Sequence, residues 1–528
     1  MKKYLTKIFD SNWFFISLLM FVVALPLSQA LVSIAAGVLL FVVIVEDKWE
    51  NKLVRIKNNK IILFIPAIFL LFVLTSFLEG NFKASLYDLK KTLFYLILPL
   101  AFLAGKEISA KQKRFVLYTF SASILIATFV ALFNLKFAVR SETFSVHSIS
   151  LISHIRFSFQ LILVFWFYII LIQKNYSKLK VSESIIVAII ALYFLAFLFF
   201  QQSLTGIISF ITSSLLFLVL MIFKAKKSYR ILFLVITVIV ISLPIFYVGH
   251  IINQFYHIER VDRENIDKVT AQGNKYHHDF NNPMVENGHY VYLYVCEKEM
   301  REEWNKRSEI KYDSLGPNGY RIKATLLRYL TSKGLRKDAT GIKALSQQDI
   351  LNVENGIANV IFQEKHLSLY PRIYQTVWEY YVYSKTGYAN NQSFSQRIEY
   401  AKAALTIIKN HIWLGVGPGN WREEFKKAYK TNHSSLDEKM YASSHNQYLN
   451  YMVKFGLIGF LLILIFLIYP IIKTHRYTDY LFLIFLVFMF FSNFADSNFE
   501  SHMGSSFFVF FYCLFIVADG KEYLKISH

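Results

Sequence analysis

Residues 443–470 are SSHNQYLNYMVKFGLIGFLLILIFLIYP, in which a short polar head leads into a long, largely apolar run. A run of this length can cross the hydrocarbon core of a bilayer as a helix. Similar runs recur along the chain, which is 55% hydrophobic, only 18% charged, and has a mean hydropathy of +0.38. The pattern predicts an all-α polytopic membrane protein and excludes a disordered chain or an ordinary soluble enzyme.

Twelve apolar segments are predicted to be transmembrane helices, and Pro26 divides the first long apolar stretch into two of them. The helical pattern of the long polar region predicts a helical loop domain at residues 250–446. It separates an N-terminal membrane domain of about nine spans (1–249) from a C-terminal segment of about three (447–528). The predicted spans are residues 13–29, 30–46, 61–79, 92–105, 115–136, 157–173, 183–200, 204–223, 231–249, 447–470, 479–494 and 505–518.

The basic residues are distributed unevenly between the two sides of the predicted membrane. The chain has 57 Lys and Arg against 36 Asp and Glu, a net charge of +21. Much of this excess lies in short linkers between apolar runs, so a nucleic-acid partner is not predicted. Short loops on one side carry 23 Lys and Arg, and those on the other side carry 6. The positive-inside rule therefore predicts cytoplasmic termini and places residues 250–446 outside the cytoplasm.

His445 ends the polar loop and stands at the start of the predicted span 447–470. A histidine titrates near neutral pH and can accept a proton from a hydroxyl group. The alternative is an interfacial histidine that caps the helix. Asn446 follows it, and Gly456 and Gly459 lie one helical turn apart further along, a spacing that predicts close approach of another helix.

A second notable stretch is residues 395–421, SQRIEYAKAALTIIKNHIWLGVGPGNW, and Arg397 lies near its start. A guanidinium just outside a membrane can hold a phosphate through two hydrogen bonds, or can simply be solvated or contact a lipid headgroup. The amphipathic helix that it begins runs into Gly415, Gly417 and Gly419. Because no Lys-Ser/Thr follows, this is not a Walker A loop, and the glycines either approach a ligand or form a turn.

Two shorter outer loops carry further candidates. His154 and Arg156 lie together before the sixth predicted span, and Asp496 and Glu500 lie in FADSNFESHMGSS at 494–506. A carboxylate in the second loop, with Glu500 as the candidate, is predicted to orient His445 or to bind an acceptor. The alternative is a solvated turn.

No metal, cofactor or disulfide is predicted. His277 and His278 are adjacent, but no third ligand follows at a suitable spacing. Cys296 lies in the polar region and Cys513 in an apolar run, so a disulfide between them is not expected.

Taken together, these features resemble the O-antigen ligase family, polytopic bacterial enzymes with one large periplasmic loop between late spans. The family pattern is His, then Asn, Ser or Gln, nine residues, Gly, two residues, Gly. His445 and Asn446, followed by Gly456 and Gly459, match it without a gap. Arg397, its helix and the Gly-rich turn resemble the family segment just upstream.

The resemblance implies metal-independent, inverting glycosyl transfer at the periplasmic face of the bacterial inner membrane, without a cofactor. Its implied partners are a donor glycan on undecaprenyl pyrophosphate and an acceptor sugar hydroxyl, on lipid A-core in true ligases. His445 would activate the acceptor, and Arg397 would hold the leaving pyrophosphate.

One position departs from the family pattern. Many relatives carry Ser-Arg-Thr-Gly at the short outer hairpin after the seventh span, whereas this chain has Ser203-Leu204-Thr205-Gly206. Either the arginine missing at Leu204 is replaced by Arg156, Arg372 or another loop arginine, or the donor is held differently.

Three other functions are open at this point. An O-antigen polymerase of the same family would use another lipid-linked glycan as acceptor. A non-enzymatic polysaccharide exporter or flippase needs charged groups near the membrane midplane, whereas these candidates lie at the outer surface. An envelope scaffold or receptor would tolerate the loss of His445.

Overall fold

The structure is a computed structural model that describes residues 12–78, 82–138, 149–365, 368–517 and 523–525. Within these ranges the prediction of an all-α protein is confirmed. The strands that they contain are β1 (Val285–Glu286) and β2 (His289–Tyr290), which pair antiparallel. The 23 basic residues counted above include Lys2, Lys3 and Lys7, which lie outside the described residues, as do the predicted span ends at 79 and 518.

The described part of the chain contains twenty-two α-helices. They are α1 (Trp13–Ala24), α2 (Gln29–Val45), α3 (Trp49–Asn58), α4 (Phe64–Leu78), α5 (Phe82–Thr92), α6 (Phe94–Ala104), α7 (Ala110–Ala138), α8 (His154–Asn175), α9 (Val181–Phe200), α10 (Leu204–Lys224), α11 (Lys227–Phe255), α12 (Glu297–Arg307), α13 (Ile322–Ser332), α14 (Ala339–Lys343), α15 (Gln347–Glu354), α16 (Ile361–Glu364), α17 (Tyr370–Thr386), α18 (Ser393–Asn410), α19 (Gly417–Thr431), α20 (Gln447–Lys473), α21 (Tyr480–Ser492) and α22 (His502–Val517).

Each predicted span overlaps one of these helices. In the described residues, seven helices are long and apolar enough to cross a membrane: α4 with the 3₁₀ turn before it, α7, α8, α9, α10, α11 and α20. Helices α2 and α3 satisfy the same test only as a pair bent by 111°, and α1, α6, α21 and α22 are shorter apolar helices. The protein is thus an all-α polytopic membrane protein, and the number of twelve spans stays a prediction.

Side-chain caps explain where the first helices begin. The Asn12 side chain accepts a hydrogen bond from the Phe15 amide at 2.9 Å, and the Ser28 hydroxyl accepts one from the Ala30 amide at 3.2 Å. Both satisfy N–H groups that have no partner inside the helix. Pro26 lies between α1 and α2, so the predicted division at this proline is confirmed.

Most helices that carry the membrane pattern belong to one compact unit, here called the membrane unit, formed by the described residues within 1–137, 145–237 and 397–528. Helix α11 is divided, because its residues from 238 onward belong to a second unit. Helix α22 is buried throughout Met503–Ile516 and forms the centre of this unit. Phe510 stacks on Phe21 of α1 with ring centroids 4.8 Å apart, and Phe511 lies 4.8 Å from Phe120 of α7. Helix α8 packs against α9, α10 and α21, and α20 packs against α4.

The described residues within 138–144 and 238–396 form the second compact unit, here called the loop unit. Trp304 is fully buried in its core and donates a hydrogen bond to the Ile310 carbonyl at 2.8 Å. A second cluster surrounds the buried Glu286, which binds Arg328 and Asn359, both at 2.6 Å. The loop unit is therefore held by apolar packing and by compensated buried charge.

The predicted loop domain at 250–446 extends further than this unit. Residues 397–446 join the membrane unit, because α19 packs against α4, α5 and α20. Helix α19 has an apolar face with Phe425, Ala428 and Tyr429 buried, so its polarity alone did not indicate where it packs.

Membrane orientation can be tested with single cysteines, since Cys296 and Cys513 are buried, with 5% and 1% exposure. Ser314→Cys in the loop unit and Ser177→Cys between α8 and α9 both introduce an exposed thiol. We expect a membrane-impermeant maleimide to label the first variant in intact spheroplasts and the second only after lysis. The unsubstituted protein is the control for background labelling. If only Ser177→Cys were labelled in intact spheroplasts, the orientation would be the opposite of the predicted one.

Candidate active site

His445 lies in a turn with left-handed backbone geometry. Its φ is +49°, which is uncommon for a residue other than glycine and costs free energy unless neighbouring groups support it. The support comes from Ser444, whose hydroxyl accepts a hydrogen bond from the Asn446 amide at 3.2 Å and bonds the Asn450 side chain at 2.7 Å. The imidazole retains 43% side-chain exposure, so it is open to a substrate.

Asn446, and not His445, caps helix α20. Its side-chain oxygen accepts hydrogen bonds from the amides of Tyr448 at 3.0 Å and Leu449 at 3.1 Å. The alternative role of His445 as the helix cap is therefore wrong. With the cap supplied by its neighbour, the histidine side chain is available for other contacts.

Several hydrogen bonds hold the loop 493–500 against the first turn of α20. The Gln447 amide donates to the Asn493 carbonyl at 2.9 Å, and the Gln447 side-chain oxygen accepts from the Phe499 amide at 2.9 Å. The Asn450 side chain donates to the Ser497 hydroxyl at 2.6 Å. These bonds place Asp496 beside His445.

Asp496 bridges His445 and Arg156. One carboxylate oxygen lies 3.5 Å from His445 Nδ1, and the other accepts a hydrogen bond from Arg156 Nη1 at 2.5 Å. Burial raises the pKa of the Asp496 carboxyl, but His445 and Arg156 outweigh burial and hold this pKa below its ordinary value. The contact therefore stabilises the folded state above the ordinary carboxyl pKa and is lost only as the pH falls through the lower folded-state value.

Glu500, the predicted orienting acid, does not contact His445. It accepts hydrogen bonds from Lys454 at 2.5 Å and from the Gln447 side chain at 3.1 Å. The 3₁₀ turn Asn498–Glu500 directs the Glu500 side chain to Lys454 of α20. Asp496 therefore lies beside His445, where Glu500 was expected. Burial raises the pKa of Glu500, and Lys454 offsets this only in part.

Lys454 also donates to Asp88 of α5 at 2.8 Å, so one buried cation serves two buried carboxylates. Trp421 of α19 donates to the same Asp88 oxygen at 2.8 Å. This network joins α5, α19, α20 and the loop 493–500. Removing one member of such a network leaves uncompensated buried charge, at a cost of about 3–5 kcal/mol.

Arg397 and Tyr400 lie one turn apart on helix α18, on the same face. The Tyr400 ring contacts the imidazole of His445, with centroids 5.6 Å apart and an interplanar angle of 33°. The half-buried Arg397 makes no hydrogen bond or ion pair with any residue that the structure describes. Its guanidinium is therefore available to an anion on the helix face that meets His445.

Gly456 interrupts helix α20 and receives the loop that precedes α19. Its φ is +61° and its ψ is −168°, and a Cβ added to it would lie 2.3 Å from the Trp413 carbonyl carbon. A Cβ on Gly415, where φ is +71°, would meet the Lys454 carbonyl carbon at 2.5 Å. The predicted close approach of another helix is therefore wrong at Gly456, where a loop backbone approaches instead.

The close approach of the loop 412–416 to α20 at Gly456, here called the crossing, is held by backbone hydrogen bonds. The Val416 amide donates to the Val453 carbonyl at 2.8 Å, and the Leu457 amide donates to the Ile412 carbonyl at 2.7 Å. Gly417 begins α19 and also has a positive φ, of +76°. Gly459 lies in the helix, where an added Cβ would be 2.4 Å from the Phe455 side chain and 3.7 Å from the Leu71 side chain of α4.

The hairpin that lacks the family arginine packs against α8. Ser203 caps α10 by accepting a hydrogen bond from the Gly206 amide at 3.3 Å, and Leu204 is half-buried. A Cβ on Gly206 would lie 2.4 Å from the Ser158 hydroxyl of α8, the helix whose first turn carries Arg156. Arg372 lies on α17 in the loop unit and donates to the Gln375 side chain at 3.4 Å. The arginine that replaces the missing one stays a prediction.

Two further residues, Tyr400 and Lys454, shape this site, although no role was predicted for either from the sequence. Tyr400 follows Arg397 by three residues, a spacing that indicates a shared helix face. Lys454 is an ionisable residue inside an apolar span, which is itself a functional signal. Within the described ranges, no group of three or more His, Cys, Asp or Glu is arranged to hold a metal ion.

Residues 348–464 match the family model described as O-antigen ligase. The match contains Arg397, the Gly-rich turn, His445 and both motif glycines, and it confirms the predicted resemblance to this family. Arg156, Asp496 and Glu500 lie outside the matched segment. No curated protein matches the chain.

The crossing at Gly456 predicts a specific sensitivity to an added methyl group. Gly456→Ala places a side chain at positive φ and into the Trp413 backbone, a strain of at least about 1–3 kcal/mol. We expect a lower thermal unfolding temperature in detergent, measured by fluorescence-detected size-exclusion chromatography.

Gly37→Ala is the matched control, because a Cβ at this helical position meets no atom within 4 Å. It should leave the unfolding temperature unchanged. Equal unfolding temperatures for Gly456→Ala and Gly37→Ala would contradict the crossing.

Proposed function

We propose that the protein transfers a glycan from undecaprenyl pyrophosphate to an acceptor sugar hydroxyl, on lipid A-core, at the periplasmic face of the bacterial inner membrane. One observation carries the proposal: the His445 imidazole contacts both the Asp496 carboxylate and the Tyr400 ring. Tyr400 shares its face of helix α18 with Arg397. The match to the O-antigen ligase family supports an activity of the ligase or polymerase type.

The proposed reaction is a single displacement at the anomeric carbon of the donor. His445 Nδ1 faces Asp496, which leaves Nε2 to accept the proton of the acceptor hydroxyl. The acceptor oxygen forms a bond to the anomeric carbon while the carbon–oxygen bond to the pyrophosphate breaks. The leaving undecaprenyl pyrophosphate keeps the electron pair, and the proton stays on His445 until it is released to solvent.

Arg397 stabilises the leaving group in this scheme. A pyrophosphate leaves readily once its developing charge is neutralised, and a guanidinium offers paired donors for phosphate oxygens. Since a side chain supplies the charge and an imidazole accepts the proton, the step as proposed needs no metal ion. Arg156 already neutralises Asp496, so its further use as a phosphate ligand would require it to bind two anions at once.

The proposal is tested by complementing a deletion strain with His445→Ala or Arg397→Ala and comparing surface glycans, with membrane levels checked by blot. We expect both variants to be present at normal levels, with polymer retained on the lipid carrier and none on lipid A-core. His411→Ala replaces an exposed histidine of the same unit and is the control.

Two outcomes distinguish the alternatives. Surface glycan limited to a single repeat in the His445→Ala strain would indicate a polymerase. A normal glycan profile in that strain would refute the proposal that His445 is the catalytic base, and would favour a polysaccharide exporter or an envelope scaffold.

Asp496 is proposed to position His445, and its amide variant separates positioning from folding. Asp496→Asn keeps the side-chain shape but removes the charge, so the imidazole loses its orientation and the transfer rate falls by about 10²-fold or more. In membranes supplied with donor and acceptor, we expect kcat to fall while KM for the acceptor is unchanged.

Asp437→Asn alters an exposed acid paired with Lys439 and should transfer at the normal rate. A kcat of Asp496→Asn equal to that of this control would show that Asp496 does not position the base.

A further inference from the structure

The loop unit contains a cavity of about 380 Å³. It lies between α13, α17 and the turns that precede α13, α16 and α18. The volume is in the range of about 300–1,000 Å³ that is common for small-ligand sites. The lining groups that matter here are Tyr320, Trp378, Phe362, Gln375, Asn391 and Gln392.

Aromatic rings form part of the wall. Trp378 is fixed by a hydrogen bond from its ring nitrogen to the Val285 carbonyl at 3.0 Å, and by the Arg328 guanidinium 4.2 Å from its ring. Tyr320 is 53% exposed at the rim. Rigid aromatic rings offer flat apolar faces to a ligand at little cost in conformational entropy.

One polar group in the wall lacks a partner. Gln392 is only 5% exposed, and its side-chain oxygen has no hydrogen-bond partner among the residues that the structure describes. A buried acceptor left unpaired costs about 1–3 kcal/mol, which a ligand hydroxyl would recover. The amides of Gln375 and Asn391 lie on the same wall.

The charged groups in the wall already have hydrogen-bond or ion-pair partners. Both oxygens of the buried Glu379 accept hydrogen bonds, from the Gln375 side chain at 3.0 Å and from the Phe394 amide at 2.6 Å. Arg328 is paired with Glu286 at 2.6 Å. A neutral ligand is therefore favoured over a phosphate or another anion.

We propose that this cavity binds a sugar unit of a glycan. A sugar ring has an apolar face that stacks on the exposed ring of Tyr320, and its hydroxyls both donate and accept, as amide side chains do. This inference rests on the proposed function, which supplies two sources of that chemistry. The sugar belongs either to the donor glycan or to the acceptor oligosaccharide.

The test measures binding to the full-length protein in nanodiscs. The probes are the glycan released by mild acid from the lipid carrier and the core oligosaccharide released from lipid A, both isolated from the deletion strain. Saturation-transfer NMR and microscale thermophoresis should detect one of them bound to the unsubstituted protein. The probe that binds identifies the source, and inorganic pyrophosphate should not compete.

Two variants address the cavity itself. Gln392→Leu removes the buried acceptor with similar volume, and Tyr320→Ala removes the rim ring, so we expect each to weaken binding at least tenfold. Tyr388→Ala is the matched control, because Tyr388 is a comparably exposed tyrosine of the loop unit, 47% exposed, that does not line the cavity. Unchanged affinity in both cavity variants, or no binding of either probe to the unsubstituted protein, would overturn the inference.

His445→Ala separates this inference from the proposed function. We expect it to abolish transfer and to bind the glycan with normal affinity. Retained transfer in His445→Ala together with weakened binding in Gln392→Leu would refute the catalytic proposal and leave the cavity standing. Loss of transfer in His445→Ala, together with normal glycan binding in both cavity variants, would support the catalytic proposal and refute the sugar site in the cavity.

Discussion

Backbone groups that a helix break releases inside an apolar environment must find new partners, and this constraint organises the membrane unit. Gly456 breaks α20, and the loop 412–416 supplies the partners through hydrogen bonds to both sides of the break. The loop can come this close because Gly415 and Gly456 both lack a side chain. The crossing fixes the end of α18 relative to α20, and so fixes Arg397 relative to His445.

The polar groups around the candidate site form two layers with different roles. At the exposed layer, Asp496 joins His445 to Arg156. Beneath it, Lys454 joins Asp88 to Glu500. Gln447 connects the layers, because it binds Glu500 and is the second residue after His445. The loop that carries Asp496 is consequently held by groups that do not themselves contact the histidine.

Sequence patterns were sufficient for the features that depend on local chemistry. Apolar length predicted the helices, Pro26 predicted the break between α1 and α2, and the His-Asn-Gly pattern predicted the family resemblance. Contacts between distant positions could not be predicted in this way. Asp496 is 340 positions from Arg156, and Lys454 is 366 positions from Asp88. Choosing Asp496 over Glu500 required the turn geometry, since both carboxylates lie in one loop.

Helix α22 follows every other described helix in the chain, yet it occupies the centre of the membrane unit. Its rings contact α1, α6, α7 and α21, and Tyr512 donates to the Leu467 carbonyl of α20. During synthesis the earlier helices are therefore made before the surface on which they pack exists. Until α22 is made, lipid or an insertion factor must cover their inner faces, so the final packing of this unit follows the insertion of α22.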